Sequence, residues 1–172
     1  LKTAGAIIIG KTNSCEYGYK AVTDSLLWGI TRNPWDLEMI PAGSSGGAGA
    51  AVASGMGPLA VGSDGGGSIR APASFCGIFG LKPSRGRIPL YPLLPGWETL
   101  DRRVTHHGPL TRTVEDAAMM MEVMAGPDER DPSSLPGKKL NYREEMKKGV
   151  RQRKRGTFMQ SVLRRRLGVD GS

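Results

Sequence analysis

Residues 58–77, PLAVGSDGGGSIRAPASFCG, join a short apolar run to three consecutive glycines, a serine and an arginine. The run GPLAVGSD (57–64) predicts a buried strand that delivers the glycine loop at its end. The three glycines (65–67) lack Cβ atoms, so their amide N–H groups are able to gather around one point, where Ser68 adds a hydroxyl. Such a loop is suited to hold a phosphate or an oxyanion.

Other segments place this strand in an α/β fold. GAIIIGKT (5–12) predicts a short buried strand, and SSGGAGAAVASGM (44–56) predicts an alanine-rich helix that begins at serines. TVEDAAMMMEVMAG (113–126) predicts a second helix, with Thr113 as N-cap and an acidic residue three positions later. Its methionines are interpreted as core residues.

Composition limits the classes of function. The 172 residues carry a net charge of +8, of which +6 lies in residues 151–172, so the first 150 carry only +2. A basic tail is typical of nucleic-acid binding, but it does not indicate the function of the globular part. No apolar stretch reaches the roughly 20 residues that span a bilayer, and the first residues lack a signal-peptide pattern, which predicts a cytoplasmic protein without membrane contact.

The two cysteines, Cys15 and Cys76, have no CxxC partner and no flanking histidine. This favours buried free thiols in a reducing compartment over a zinc site or a disulfide.

The glycine loop fits acyl transfer better than phosphate binding. A Walker loop needs Gly-Lys-Ser/Thr, and neither AGSSGGAG nor GSDGGGSIR supplies the lysine. A dinucleotide fingerprint must open a helix, and the residues from Ile69 to Pro72 are a poor helix start. Amide hydrolysis needs a nucleophile beside N–H donors for the developing oxyanion, which the loop supplies.

The base that would activate Ser68 is open at this point. His106 and His107 lie side by side, and a Ser-His-Asp triad would combine one of them with Asp64 or Asp101. Sequence spacing neither supports nor excludes this arrangement, and solvated loop histidines are the simpler interpretation.

The segment from AGSSGGAG to RGRIP (42–89) closely resembles the signature segment of the amidase signature family. GAIIIGKTN, TRNPWD and GPLTRTVEDAAMMMEVMAGPDERDPSSLP match its flanking segments in the right order. The resemblance covers residues 1–150, so these are interpreted as a partial amidase signature domain, with 151–172 a tail that is disordered or foreign to the family. It implies a mixed central sheet covered by helices and hydrolysis of a carboxamide, with no metal or organic cofactor.

The resemblance implies a Ser-Ser-Lys triad in place of the histidine triad. Ser68 matches the nucleophile, and Ser44, which follows a cis peptide bond in the family, matches the serine that relays its proton to a neutral lysine. The implied oxyanion donors are Gly65, Gly66, Gly67 and Ser68, and the implied supports of the loop are Ser45, Asp64 and Arg70. Cys76 matches a packing position. Ala42 stands where the family usually has glycine.

The required lysine is expected in a Val-Lys-Asp type strand upstream of GAIIIGKTN, and Lys11 belongs to a different segment. The sequence therefore predicts a fragment that is inactive alone, acting in its full-length parent on a small-molecule amide, with a homodimer as one form of that parent. The alternatives are the glutaminase-like subunit of a tRNA-dependent amidotransferase, or a non-catalytic remnant whose basic tail binds nucleic acid. Nucleic-acid binding is the less favoured.

Overall fold

The computed structural model describes residues 1–92, 104–137 and 140–149. Its strands within these ranges are β1 (Asp24–Ser25), β2 (Gly29–Ile30), β3 (Leu59–Asp64), β4 (Phe79–Gly80) and β5 (His106–Thr111). Its α-helices there are α1 (Gly46–Ala53), α2 (Arg70–Cys76), α3 (Val114–Met124) and α4 (Tyr142–Lys147), and 3₁₀ turns span Lys2–Ala4 and Glu16–Gly18. The predictions for residues 151–172 and for Asp101 lie outside the described residues.

The larger sheet has the strand order β3-β5-β4, and β5 runs antiparallel to both neighbours. β3 and β5 pair along their full length, from Leu59 opposite Thr111 to Asp64 opposite His106. β3 and β4 therefore run in the same direction without being adjacent. The α/β class is confirmed, but every strand pair in the described ranges is antiparallel, so the predicted mixed sheet is not seen in this part of the chain.

Helices α1 and α2 pack against each other and against this sheet. Their shared core contains Ala48, Ile69, Ala73 and Leu110. Small residues on α1 allow the close approach: a Cβ at Gly49 would lie 3.2 Å from the Cβ of Pro72. The alanine- and glycine-rich sequence of α1 thus brings the two helices, and the loops before them, close together.

The strand predicted at residues 5–12 is wrong. This segment pairs with no described strand, and Ile7, Ile8 and Ile9 are 88%, 60% and 77% exposed. A strand is held by hydrogen bonds to a neighbour, and none lies alongside it in the described ranges. An apolar run of this kind is typical of a strand buried on both faces, and here neither face is covered.

Both predicted helices are confirmed. Thr113 is the N-cap of α3: its Oγ1 accepts the Asp116 N–H at 3.1 Å and donates to the Asp116 carboxylate at 2.7 Å. Met120 and Met121 are buried in the core, as expected. Helix α2 begins at Arg70, although the sequence there is a poor helix start. Pro72 is tolerated because it lies in the first turn, where an amide N–H has no intrahelical acceptor.

In the described ranges, no helix combines the length and the apolar character needed to cross a membrane.

Candidate active site

The loops before α1 and α2 meet, and each carries one of the two predicted catalytic serines. Ser44 lies at the end of the first loop, two residues before α1, and is 5% exposed. The Ser45 N–H donates to the Ser68 carbonyl at 3.3 Å, which fixes the two loops against each other. The Gly43–Ser44 peptide bond is cis, as the family resemblance implied. The structure thus brings the segments of Ser44 and Ser68 into contact.

Ser45 ties the start of α1 to strand β3. Its Oγ accepts the Ser63 N–H at 3.1 Å and donates to the Ser63 carbonyl at 3.2 Å. A Cβ at Gly62 would lie 3.0 Å from the Ser45 Oγ, so the absence of a side chain at Gly62 favours this close approach. The hydroxyl therefore anchors the loop to the sheet instead of capping α1, with which it forms no cap bond.

Asp64 organises the loop that carries Ser68. Its carboxylate is fully buried at the end of β3 and forms an ion pair with Arg70. It accepts five hydrogen bonds, from the amides of Gly67 (2.8 Å), Ile69 (3.1 Å) and Arg70 (3.3 Å) and from Nε (3.0 Å) and Nη2 (2.9 Å) of Arg70. Every donor lies within six residues, so the glycine loop is folded around one carboxylate.

The same contacts set the charge of Asp64. Burial acts to raise the pKa of the carboxyl, but the Arg70 guanidinium and the backbone amides outweigh it and lower the pKa to about 2. Asp64 is therefore ionised at neutral pH, and its negative charge compensates Arg70 beside the loop.

The histidine triad is not formed between His106 and the Asp64 carboxylate. His106 Nδ1 lies 2.8 Å from the Val104 carbonyl and 3.2 Å from the backbone carbonyl of Asp64. Two carbonyl acceptors require that Nδ1 carries the proton. The carboxylate of Asp64 is meanwhile occupied by the loop donors, so it does not orient this imidazole.

The glycine loop leaves some of its amides available. The N–H groups of Gly65, Gly66 and Ser68 form no hydrogen bond to another described residue. For Gly67 the structure differs from the prediction, because its N–H already donates to Asp64. A Cβ at Gly66 would meet nothing within 4 Å. Open space beside unengaged amides is what an oxyanion site requires.

No lysine in the described ranges is buried, and none of them hydrogen-bonds Ser44 or Ser68. Lys11 is exposed, in agreement with its exclusion as the neutral base. Lys82 is half-buried and donates to the Pro83 carbonyl at 3.1 Å.

Cys76 is buried at the end of α2, where a Cβ at Gly49 would lie 3.4 Å from its sulfur. Both cysteines are free and buried. Burial raises the pKa of the Cys76 thiol, which makes it a poor nucleophile.

Two residues near Ser44 carry no sequence signal that singles them out. The Thr23 hydroxyl bonds the backbone on both sides of Ser44. Gly18 has a φ of +72°, and a Cβ there would lie 3.5 Å from the Ser44 Oγ. Both are distant in sequence and reach the loop only through the fold.

Comparison with known proteins places this geometry in a family. The profile of the family described as Amidase matches residues 1–163, which extends past the boundary predicted at residue 150. The chain is 49% identical over 156 residues to a glutamyl-tRNA(Gln) amidotransferase subunit of a Sulfurihydrogenibium species, covering 91% of the chain and 31% of the relative. It is also 49% identical over 155 residues to an acylamidase of Rhodococcus erythropolis, covering 88% and 31%.

Among solved structures, a bacterial aryl acylamidase of the amidase signature enzymes superposes with a TM-score of 0.77 at 45% identity. That alignment covers 87% of this chain and 30% of the other. The chain thus spans about a third of the length of the relatives it matches. With the cis peptide before Ser44 and the Gly-Gly-Gly-Ser loop in place, the chain belongs to the amidase signature family.

Proposed function

We propose that the whole protein hydrolyses a carboxamide C–N bond through an acyl-enzyme on Ser68. The observation that carries this is the loop before α2, where Ser68 follows Gly65 and Gly66 with their unengaged amides, and the Ser68 carbonyl accepts the Ser45 N–H beside the buried Ser44. A nucleophile and oxyanion donors on one rigid loop are the requirements of acyl transfer.

The chemistry proceeds in two halves. The Ser68 Oγ attacks the amide carbon while its proton passes to Ser44, whose own proton passes to a lysine of the whole protein. The C–N bond then breaks as the leaving nitrogen takes up a proton by the reverse route, and an ester to Ser68 remains. Water attacks this ester with the same proton relay, which releases the acid and restores Ser68.

The amides of Gly65, Gly66 and Ser68 are the proposed oxyanion donors. Each donor of this kind contributes about 10²–10³ in rate when it points at the developing charge. Asp64 has an indirect role, because it holds the Gly67 and Ile69 amides and thereby sets the direction of the remaining N–H groups. We place the reaction in the cytoplasm, in keeping with two free buried thiols.

A second candidate is the release of ammonia from glutamine within a tRNA-dependent amidotransferase complex. It is favoured by the 49% identical amidotransferase subunit of Sulfurihydrogenibium, but the acylamidase of Rhodococcus erythropolis is equally similar. In the whole protein, turnover of a small aryl amide without glutamine turnover supports the acylamidase interpretation. Glutamine turnover that requires further subunits, without turnover of the aryl amide, supports the amidotransferase interpretation.

The nucleophile is tested in the whole protein with a fluorophosphonate, which reacts with activated serine hydroxyls, followed by intact-mass measurement and peptide mapping. We expect the label on Ser68 and none in Ser68→Ala. Ser74→Ala, which removes an exposed hydroxyl from α2, is the matched control and leaves labelling unchanged. A label on Ser44 or Cys76 that spares Ser68 would contradict the assignment.

A further inference from the structure

The Thr23 hydroxyl lies at the centre of the loop that carries Ser44. Thr23 precedes β1 and is 1% exposed. Its Oγ1 donates to the Ala42 carbonyl at 2.9 Å and accepts the Gly46 N–H at 3.1 Å. These two backbone groups stand two residues before and two residues after Ser44, so one side chain spans the whole loop.

The hydrogen-bonding capacity of this hydroxyl matches its surroundings. Threonine has one hydroxyl proton, and the Ala42 carbonyl at 2.9 Å is nearer than the Ser44 carbonyl at 3.4 Å. The Gly46 amide begins α1, where N–H groups have no intrahelical acceptor. The N-cap Ser45 offers α1 no side-chain bond. Thr23 therefore caps the helix from outside its own sequence neighbourhood.

The backbone conformation of Ala42 explains why the loop needs a stabilising hydrogen bond from outside it. Ala42 has a φ of +59°, in the left-handed region that favours glycine, and it is buried. An alanine relaxes from this conformation more readily than a glycine would. The bond from Thr23 to its carbonyl opposes that relaxation.

Close backbone packing leaves the hydroxyl little freedom to move. A Cβ at Gly46 would lie 2.2 Å from the Thr23 Oγ1, and a Cβ at Gly43 would lie 2.6 Å from the Val22 carbonyl oxygen. The chain at Val22 and Thr23 therefore lies directly on the Ser44 loop, with no side chain between them.

We propose that Thr23 is a positioning residue for Ser44. By fixing the loop on both sides of Ser44, it keeps the Ser44 hydroxyl in position to accept the Ser68 proton. This inference rests on the proposed function. Thr23 acts through the loop and touches neither substrate nor the reacting atoms. Its removal is expected to change the reactivity of Ser68 in protein that is still folded.

In the whole protein, the test compares Thr23→Val, which keeps the shape and removes the hydroxyl, with Thr23→Ser, which keeps the hydroxyl. We expect T23V to slow fluorophosphonate labelling of Ser68, per folded molecule, by about tenfold or more. Amide exchange at Gly46 is expected to quicken by about tenfold, because its acceptor is lost. T23S stays within about threefold of wild type in both. Ser54→Ala, which removes a hydroxyl bonded to the Ala50 carbonyl at the other end of α1, is the unchanged control.

A double variant separates loop positioning from folding. Ala42→Gly removes the cost of the positive φ, so T23V/A42G is expected to regain part of the labelling rate that T23V loses. It also replaces T23V in the comparison if T23V does not fold.

Folded T23V that labels at the wild-type rate overturns the proposal, as does Gly46 exchange that stays unchanged in T23V. If the wild-type whole protein takes no label on Ser68, the proposed nucleophile fails. The exchange at Gly46 then still decides whether Thr23 holds the loop.

Discussion

Replacing Asp64 by asparagine tests whether one carboxylate folds the glycine loop. In the structure both oxygens face only donors, two at Oδ1 and three at Oδ2. Either orientation of the asparagine amide places its NH₂ group against those donors and leaves Arg70 without its counter-charge. Removing one partner of a buried pair costs about 3–5 kcal/mol, and the half-exposed Arg70 guanidinium reduces this to about 2–4 kcal/mol.

The assay is urea unfolding of the chain, followed by circular dichroism at neutral pH and at low pH. The pKa of Asp64 is about 2 in the folded protein and near its ordinary value of 3.8 in the unfolded chain. The unfolded state therefore binds the proton first, and stability is fully present above pH 4 and lost as the pH falls toward 2. Solvent screening at Arg70 limits this contribution to about 1–2 kcal/mol. We expect Asp64→Asn to lack this acid-dependent part.

Asp128 provides the matched control. Its pKa is also lowered to about 2 by an arginine, Arg130, but this pair lies at the surface. Asp128→Asn is expected to leave the unfolding midpoint at neutral pH essentially unchanged. If Asp64→Asn is as stable as Asp128→Asn, the carboxylate does not organise the loop and the reasoning is refuted.

Two further predictions concern packing. Met121→Ala is expected to lower the free energy of unfolding by about 2–4 kcal/mol, because the Met121 side chain of α3 is buried in the hydrophobic core. Met119→Ala is the control and is expected to cost about 0.5 kcal/mol, because Met119 is partly exposed. Equal losses in urea unfolding would contradict this prediction. Gly108→Ala is expected to cost at least about 2 kcal/mol, because its Cβ would lie 2.0 Å from the Leu81 carbonyl oxygen. Gly10→Ala is the control and is expected to leave stability unchanged, because nothing lies within 4 Å of a Cβ there. Equal unfolding midpoints for the two variants would show that β5 shifts at little cost and would contradict the prediction.

Local patterns predicted most of the elements around the proposed nucleophile. The apolar run that ends at Asp64 is β3, the alanine-rich segment is α1, and Thr113 caps α3. These features follow from interactions within a few residues, which propensity and capping rules describe. The resemblance supplied the pairing of Ser44 with Ser68, which no local rule contains.

The errors lie where distant partners decide the structure. Residues 5–12 have the composition of a strand, but a strand depends on a neighbour that a local pattern does not specify. The exception is Gly67, which the resemblance implies as an oxyanion donor and whose N–H donates to Asp64, only three residues away. Thr23 gave no signal, because its role depends on backbone groups that the fold brings to it.

The two loops of the proposed site are fixed by contacts of different sequence separation. The Ser68 loop is fixed by Asp64 through donors no more than six residues away, and the Ser44 loop by Thr23 and by the bond of Ser45 to Ser63. All of these partners lie in the segment shared with the relatives, so the geometry of the proposed nucleophile and relay is a property of this segment. The proposed lysine base has no counterpart among these contacts, because no lysine in the described ranges is buried. Changes at Asp64 or Thr23 are therefore expected to alter the geometry of the loops, whereas a change at the proposed lysine of the whole protein is expected to slow proton transfer and leave the loops in place.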